Sequence, residues 1–199
     1  MRSTHLPSHA RIKLPASILE DHPLCLNPQV RRNICRHFDR KGIFLNIPYS
    51  ALYSNLEIAI LSTVTAYGLH PHMARERLRM QVRVLKIVEL VLTCNYGLTD
   101  LSYATRLNMP LELGLLLAFG KETFVMSRRR YSSLRTVSDL NFCDIHYHEG
   151  SIRRLVEGLS RWIEEVCSAR RIRADVLLRR HRLWKRIRKS LGPDFDRYT

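Results

Sequence analysis

The sequence predicts an α/β domain built on an open parallel sheet of about five strands, with helices on both faces. Two observations predict it, and the charge marks the limits of the domain. Short apolar runs of strand length alternate with stretches whose apolar residues recur at helical spacing. The links between these runs are short, which favours crossover helices over a single sheet. The charge is partitioned as well. Residues 43–167 carry 14 Lys+Arg against 12 acidic residues, as an ordinary domain does, while residues 1–42 carry 8 against 3 and residues 168–199 carry 11 against 3.

The elements follow in order. Residues 1–42 hold Pro7, Pro15, Pro23 and Pro28 among scattered His and Arg, and predict an irregular basic arm with one short helix over Gln29–Phe38. Ile43–Ile47 is an apolar run closed by Pro48, a buried first strand. Leu52, Leu56, Ile60 and Val64 mark a helix that Gly68 ends. Leu69–Ala74 is a weak second strand. Val84, Ile87, Val88, Val91 and Leu92 mark the next helix, and Cys94–Thr99 the third strand, ended by Asp100. A helix then opens at Asn108-Met-Pro-Leu-Glu-Leu-Gly114. Glu122–Ser127 is the fourth strand and Phe142–Tyr147 the fifth. Ile152, Leu155, Val156, Leu159, Trp162 and Ile163 form an amphipathic helix. The domain therefore spans 43–167, between a basic arm (1–42) and a basic amphipathic helix (168–199) that Gly192-Pro193 stops.

Composition narrows the function classes. The chain has 199 residues, a formal net charge of +15 and a pI near 10.2, which suits acidic partners or anionic ligands. No apolar run is long enough to span a bilayer, and the first residues lack the apolar stretch of a signal peptide, so no membrane association is expected. Five widely spaced cysteines without a Cys-x-x-Cys argue for reduced thiols in a cytoplasmic protein. His70-Pro-His72 and His146-Tyr-His148 each place two imidazoles on one side of a strand. No acidic or Cys partner lies at a matching short spacing for the first pair, and no metal is expected.

Ligands of open parallel sheets bind beyond the carboxyl ends of the strands. That rule selects Asn46, Pro48 and Tyr49 after the first strand, Arg75 and Glu76 after the second, and Asp100, Ser102 and Tyr103 after the third. Glu112 sits in an otherwise apolar helix start that faces the same rim. An ionised carboxylate is costly to bury without partners. A structural explanation exists: a glutamate in the first turn complements the helix dipole, with Asn108 as N-cap and Pro110 tolerated behind it. The capping-box form of that explanation fails, because Leu111 occupies the third position after Asn108.

Four segments occur in an order that carries a resemblance: GIFLNIPYSALYSNLEIAI, RVLKIVELVLTCNYGLTDLS, LNMPLELGLLLAFGK and SDLNFCDIHYHEGSIRRLVEGLSRWI. Together they resemble a bacterial group of TIR-like nucleotide-binding proteins, which is similar in turn to nucleoside 2-deoxyribosyltransferases and TIR-domain NAD hydrolases. The resemblance covers about Gly42 to Val166 and is most specific at Asp100-Leu-Ser102 followed by Asn108–Gly114. It implies a flavodoxin-like sheet with a pocket for NAD or another nucleotide, as substrate or ligand. It gives Glu112 the role of the glutamate that attacks or stabilises the anomeric carbon of an N-glycosidic bond. It makes Asp100 a holder of ribose or base, Tyr49 a stacking or pocket residue, Gly114 a point of close backbone packing, and His148 a pocket-lining group or a buttress of Asp144. Pro48, Arg75, Ser102 and Asn108 complete the nucleotide-binding set. Two positions depart from the pattern. Arg106 stands where an acid precedes the deoxyribosyltransferase glutamate, and Leu85 replaces an acid of the TIR-like group. A non-catalytic nucleotide sensor or adaptor that oligomerises therefore stays open beside an N-glycosidase.

The basic tail admits two partners. Val176, Leu177, Leu183, Trp184, Ile187 and Leu191 fall on one side of a helix whose other side is Arg and Lys. The apolar stripe favours packing, on this domain or on a partner or second subunit. The charge adds nonspecific affinity for nucleic acid. Arg128-Arg129-Arg130 is either a solvated turn or a phosphate contact at the rim.

Overall fold

The computed structural model describes residues 28–48, 50–74, 83–102, 108–128 and 144–192. Their order is α1 (Pro28–His37), β1 (Asp39–Asn46), a 3-10 turn (Ala51–Tyr53), α2 (Ser54–Ala66), β2 (His70–His72), α3 (Arg83–Thr93), β3 (Cys94–Asp100), α4 (Asn108–Ala118), β4 (Glu122–Ser127), β5 (Ile145–Tyr147), α5 (Ile152–Val166) and α6 (Ala174–Leu191). The five strands form one sheet in the order β2-β1-β3-β4-β5, and every neighbouring pair is parallel. This is an α/β, flavodoxin-like open sheet.

Strand alternation divides the core into two layers. Ile43, Leu45 and Ile47 of β1 and its exit, with Leu98, Phe124 and Met126, face α2 and α5, where Ile60, Val64, Leu155, Leu159 and Ile163 meet them. Phe44 faces the other way, onto Ile87, Leu90 and Val91 of α3 and Leu116 of α4. Leu113 of α4 packs on Leu101 and Val125. The α4 layer sits close: a Cβ added at Gly97 of β3 would lie 2.7 Å from both Leu116 methyls and 2.9 Å from Thr123 Oγ1. Turns end the helices where the chain can take a positive φ, as at Gly68 (72°) after α2 and Gly192 (56°) after α6.

Several expectations shift. β1 begins at Asp39, so the expected arm boundary at residue 42 falls inside the sheet. Its Asp39 folds back over Gly42, whose missing side chain leaves the room. Leu52 is not on the buried stripe of α2. It belongs to the 3-10 turn and is 90 % exposed, and Tyr53 takes the interior position instead. The predicted second strand shortens to three residues, and the fifth is described only over Ile145–Tyr147. The basic tail forms α6, which packs on α2 and α5 of its own domain through Leu177, Leu178 and Trp184.

Candidate functional site

In the strand order 2-1-3-4-5 the chain runs outward in opposite directions from β1 and β3, so the switch point at which such sheets form their ligand crevice lies between their carboxyl ends. Asn46 and Thr99 are register partners at that point, with Asp100 one residue further on. Each lies where an apolar run ends in a polar residue, and each is buried.

Asn46 is a bracket. Its Nδ2 donates to the carbonyl of Met109 at 2.8 Å and to Thr99 Oγ1 at 3.4 Å. The first bond ties the exit of β1 to the start of α4, the helix that carries Glu112. Glu112 is the fifth residue of that helix, one residue deeper than with Asn108 as N-cap, and no acid lies in the first turn. The dipole explanation weakens with that shift, because its effect fades within the first turn. The side chain is only 8 % exposed, so it does not stand out in bulk water. Glu112 is thus a buried carboxylate near the start of an apolar helix.

Asp100 is fully buried, and both its oxygens are engaged. Oδ2 accepts the Tyr53 hydroxyl and Oδ1 accepts the Ser102 backbone N–H at 2.7 Å. Ser102 Oγ in turn accepts the Arg128 backbone N–H at 2.7 Å, and the Leu101 N–H donates to the Met126 carbonyl at 2.8 Å. The expected Asp100–ribose contact thus meets a carboxylate already used to fasten the β3 exit to the 3-10 turn and to the end of β4. Tyr53 was not selected from sequence; it follows a helical-looking leucine pattern that hides its inward turn.

His148, at the exit of β5, is also fully buried. Its Nδ1 accepts the Gly150 N–H at 3.1 Å, so the neutral ring carries its proton on Nε2, and Nε2 has no hydrogen-bond partner among the described residues. Burial lowers its pKa below the ordinary histidine value; the Asp100 charge opposes this, and His146 and Arg128 reinforce it. His148 thus lies within the charge field of Asp100, while Asp144 is exposed.

The remaining expected residues divide. Pro48 is buried at the β1 exit and Ser102 is half-buried at the β3 exit, both on the rim. Asn108 opens α4, but its side chain, together with Tyr49, Arg75, Glu76, Tyr103, Leu85, Arg106, Arg129 and Arg130, lies outside the described residues. Gly114 does not serve close packing. It is exposed, and a Cβ there would meet no heavy atom of the described residues within 4 Å. A cavity of about 640 Å³ lined by Lys121, Glu122, Asp144, His146 and Trp162 sits near the amino ends of β4 and β5, the opposite end from the one at which such sheets bind ligands.

The two histidine pairs separate as well. His70 Nδ1 and His72 Nε2 both meet Asp39 Oδ2, at 2.8 and 3.2 Å, a partner that sequence spacing could not supply because β1 brings it alongside β2. Burial pushes the Asp39 carboxyl up, but the hydrogen bonds from His70, the Lys41 backbone and His72 together hold it below its ordinary value. His146 instead lies over Gly158 of α5, bonded to the Arg154 carbonyl at 3.0 Å and against the Phe124 ring. Among the described residues no group of three or more His, Cys, Asp or Glu is arranged to hold a metal ion.

Comparison with family models, with curated proteins and with solved structures gives no match.

Proposed function

We propose that the chain is a TIR-like nucleotide-binding domain that cleaves the N-glycosidic bond of NAD or another nucleotide, with Glu112 at the sugar. One observation supports this above the others: Glu112 is a buried carboxylate in α4, a helix whose start Asn46 ties, through the Met109 carbonyl, to the topological switch between β1 and β3. Breaking a C–N glycosidic bond builds positive charge on the ribose. A carboxylate held in a low-dielectric site stabilises that charge or traps it covalently. Asn46 sets the position of the helix start. Asp100 and Tyr53 stiffen the opposite wall. Pro48 and Ser102 border the ligand.

The test is turnover of NAD and of a panel of nucleotides and nucleosides, read as released base, by the purified protein and by Glu112→Gln. The glutamine keeps the shape and removes the charge, so the rate falls about 10²-fold or more. Equal turnover by both proteins removes Glu112 from the mechanism. A second reading is favoured by Asp100, whose oxygens are both already bonded within the fold: a sensor that binds the nucleotide without cleaving it. Binding by the unaltered protein with no released base selects that reading.

A further inference from the structure

α6 carries seven Arg and Lys, and the fold uses them in two ways. Two turn inward. Arg180 donates to the Ser62 carbonyl at 3.1 Å and to Thr65 Oγ1 at 3.3 Å, and its guanidinium lies over the Trp184 ring at 5.3 Å. Arg188 meets Glu57 of α2 at 3.1 Å. Leu177 is buried, and His181 Nε2 meets the Asn55 carbonyl at 3.3 Å. These contacts fix the face that α6 turns to α2.

The other five, Arg179, Arg182, Lys185, Arg186 and Lys189, are exposed. At about 100° per residue they occupy about 120° of arc, turned away from the Leu177–His181–Trp184–Arg188 face. The one acid of the helix, Asp175, lies in its first turn and pairs with Arg153 of α5 at 3.3 Å. The row thus runs along about 15 Å of helix with no carboxylate of α6 inside it.

We propose that this row is a docking surface for the phosphodiester backbone of double-helical nucleic acid. Three features select that partner. A fixed row of point charges without acids is complementary to a polyanion, whose counterions it releases. A single strand would be held by base stacking on aromatic rings, but the one aromatic of α6, Trp184, is packed inward under Arg180. An anionic bilayer would need the exposed apolar residues in the middle of the charge. Val176, Leu183, Ile187 and Leu191 are exposed on a different flank, about 130° round the helix from the centre of the row. Arg and Lys contacts to phosphates carry no base information, so the binding is independent of sequence. This surface is separate from the β1–β3 crevice and stands or falls without it.

The test uses the full chain and labelled DNA and RNA duplexes of mixed sequence, followed by fluorescence anisotropy over a salt series, with phosphatidylglycerol vesicles as a parallel arm. Five phosphate contacts give a slope of log affinity against log salt of about −4.5. Changing all five residues to Gln lowers the slope by about 4 and the affinity at low salt by about 100-fold or more. The triple variant Arg182→Gln, Arg186→Gln, Lys189→Gln removes about half of that slope, whereas exchanging the three arginines Arg179, Arg182 and Arg186 for Lys keeps it. Wild-type affinity and slope in the fivefold variant, or binding to the vesicles with none to either duplex, overturns the proposal.

Discussion

Glu112 and two glycines show how far single residues were legible. Its charge in an apolar stretch was visible at once; its depth in α4 was not, because helix starts shift by a residue or two and Asn108 reads equally well as a cap or as a first helical residue. Gly114 and Gly97 look alike in sequence and differ in space. A Cβ at Gly114 meets nothing among the described residues, so Gly114→Ala raises stability by about 0.5–1 kcal/mol through backbone entropy, measured as the urea midpoint. A Cβ at Gly97 meets Leu116 and Thr123 at under 3 Å, so Gly97→Ala costs about 1–3 kcal/mol by overpacking. A stabilised Gly97→Ala would mean that α4 is free to retreat. His148 and His181 set the pH response. Burial is the leading cause that depresses both, so the unfolded chain takes up protons below about 6.5 that the fold resists. Their contribution is present above that pH and is lost as pH falls through the folded-state values. The melting temperature accordingly falls from pH 7 into the acid range. His181→Gln, which keeps a donor for the Asn55 carbonyl and cannot titrate, shows a shallower fall; an unchanged fall removes His181 from the response.

At the scale of elements, periodicity carried most of the information. β4 and the α5 stripe stand where their apolar spacing puts them, since both bury a whole face and tertiary packing has little to override. The failures have specific causes. β1 starts earlier because the polar Asp39–Lys41 segment is held by pairing with Cys94 and by the Asp39 hydrogen bonds, which no apolar pattern announces. Leu52 matched the helical period but precedes the helix, so its match was accidental. The tail packs on its own domain, but through Leu177, Leu178 and Trp184; Val176, Leu183, Ile187 and Leu191 of the expected stripe are exposed, and spacing could not say that α2 would be its seat. That seat is testable through the Arg188–Glu57 pair, in which Glu57 is buried. Arg188→Met keeps the aliphatic length and removes the charged donor. It costs about 1–3 kcal/mol, read as a shift of the urea midpoint without loss of helix content. No shift would mean that α6 is held by its apolar contacts alone.

For the whole molecule, the alternation of runs and the partition of charge were enough for the fold class, because a parallel sheet must be covered on both faces. The carboxyl-end rule named candidates after the first three strands, and the strand order 2-1-3-4-5, which spacing does not give, puts the switch point between β1 and β3. What sequence could not give is the wiring across that rim: Asn46 to Met109, Tyr53 to Asp100 and Ser102 to Arg128 join residues far apart in the chain. Among the described residues no helix is long and apolar enough to cross a membrane. The central claim is that the β1–β3 crevice beside Glu112 receives a nucleotide. The most direct measurement is a calorimetric titration of Glu112→Gln with NAD and a nucleotide panel, because the amide preserves the crevice and prevents the ligand from being consumed. One nucleotide binding with one-to-one stoichiometry, and weakened at least about tenfold when Asn46→Ala releases the start of α4, is the predicted result. Absence of heat with every nucleotide, for both the parent protein and Glu112→Gln, contradicts it.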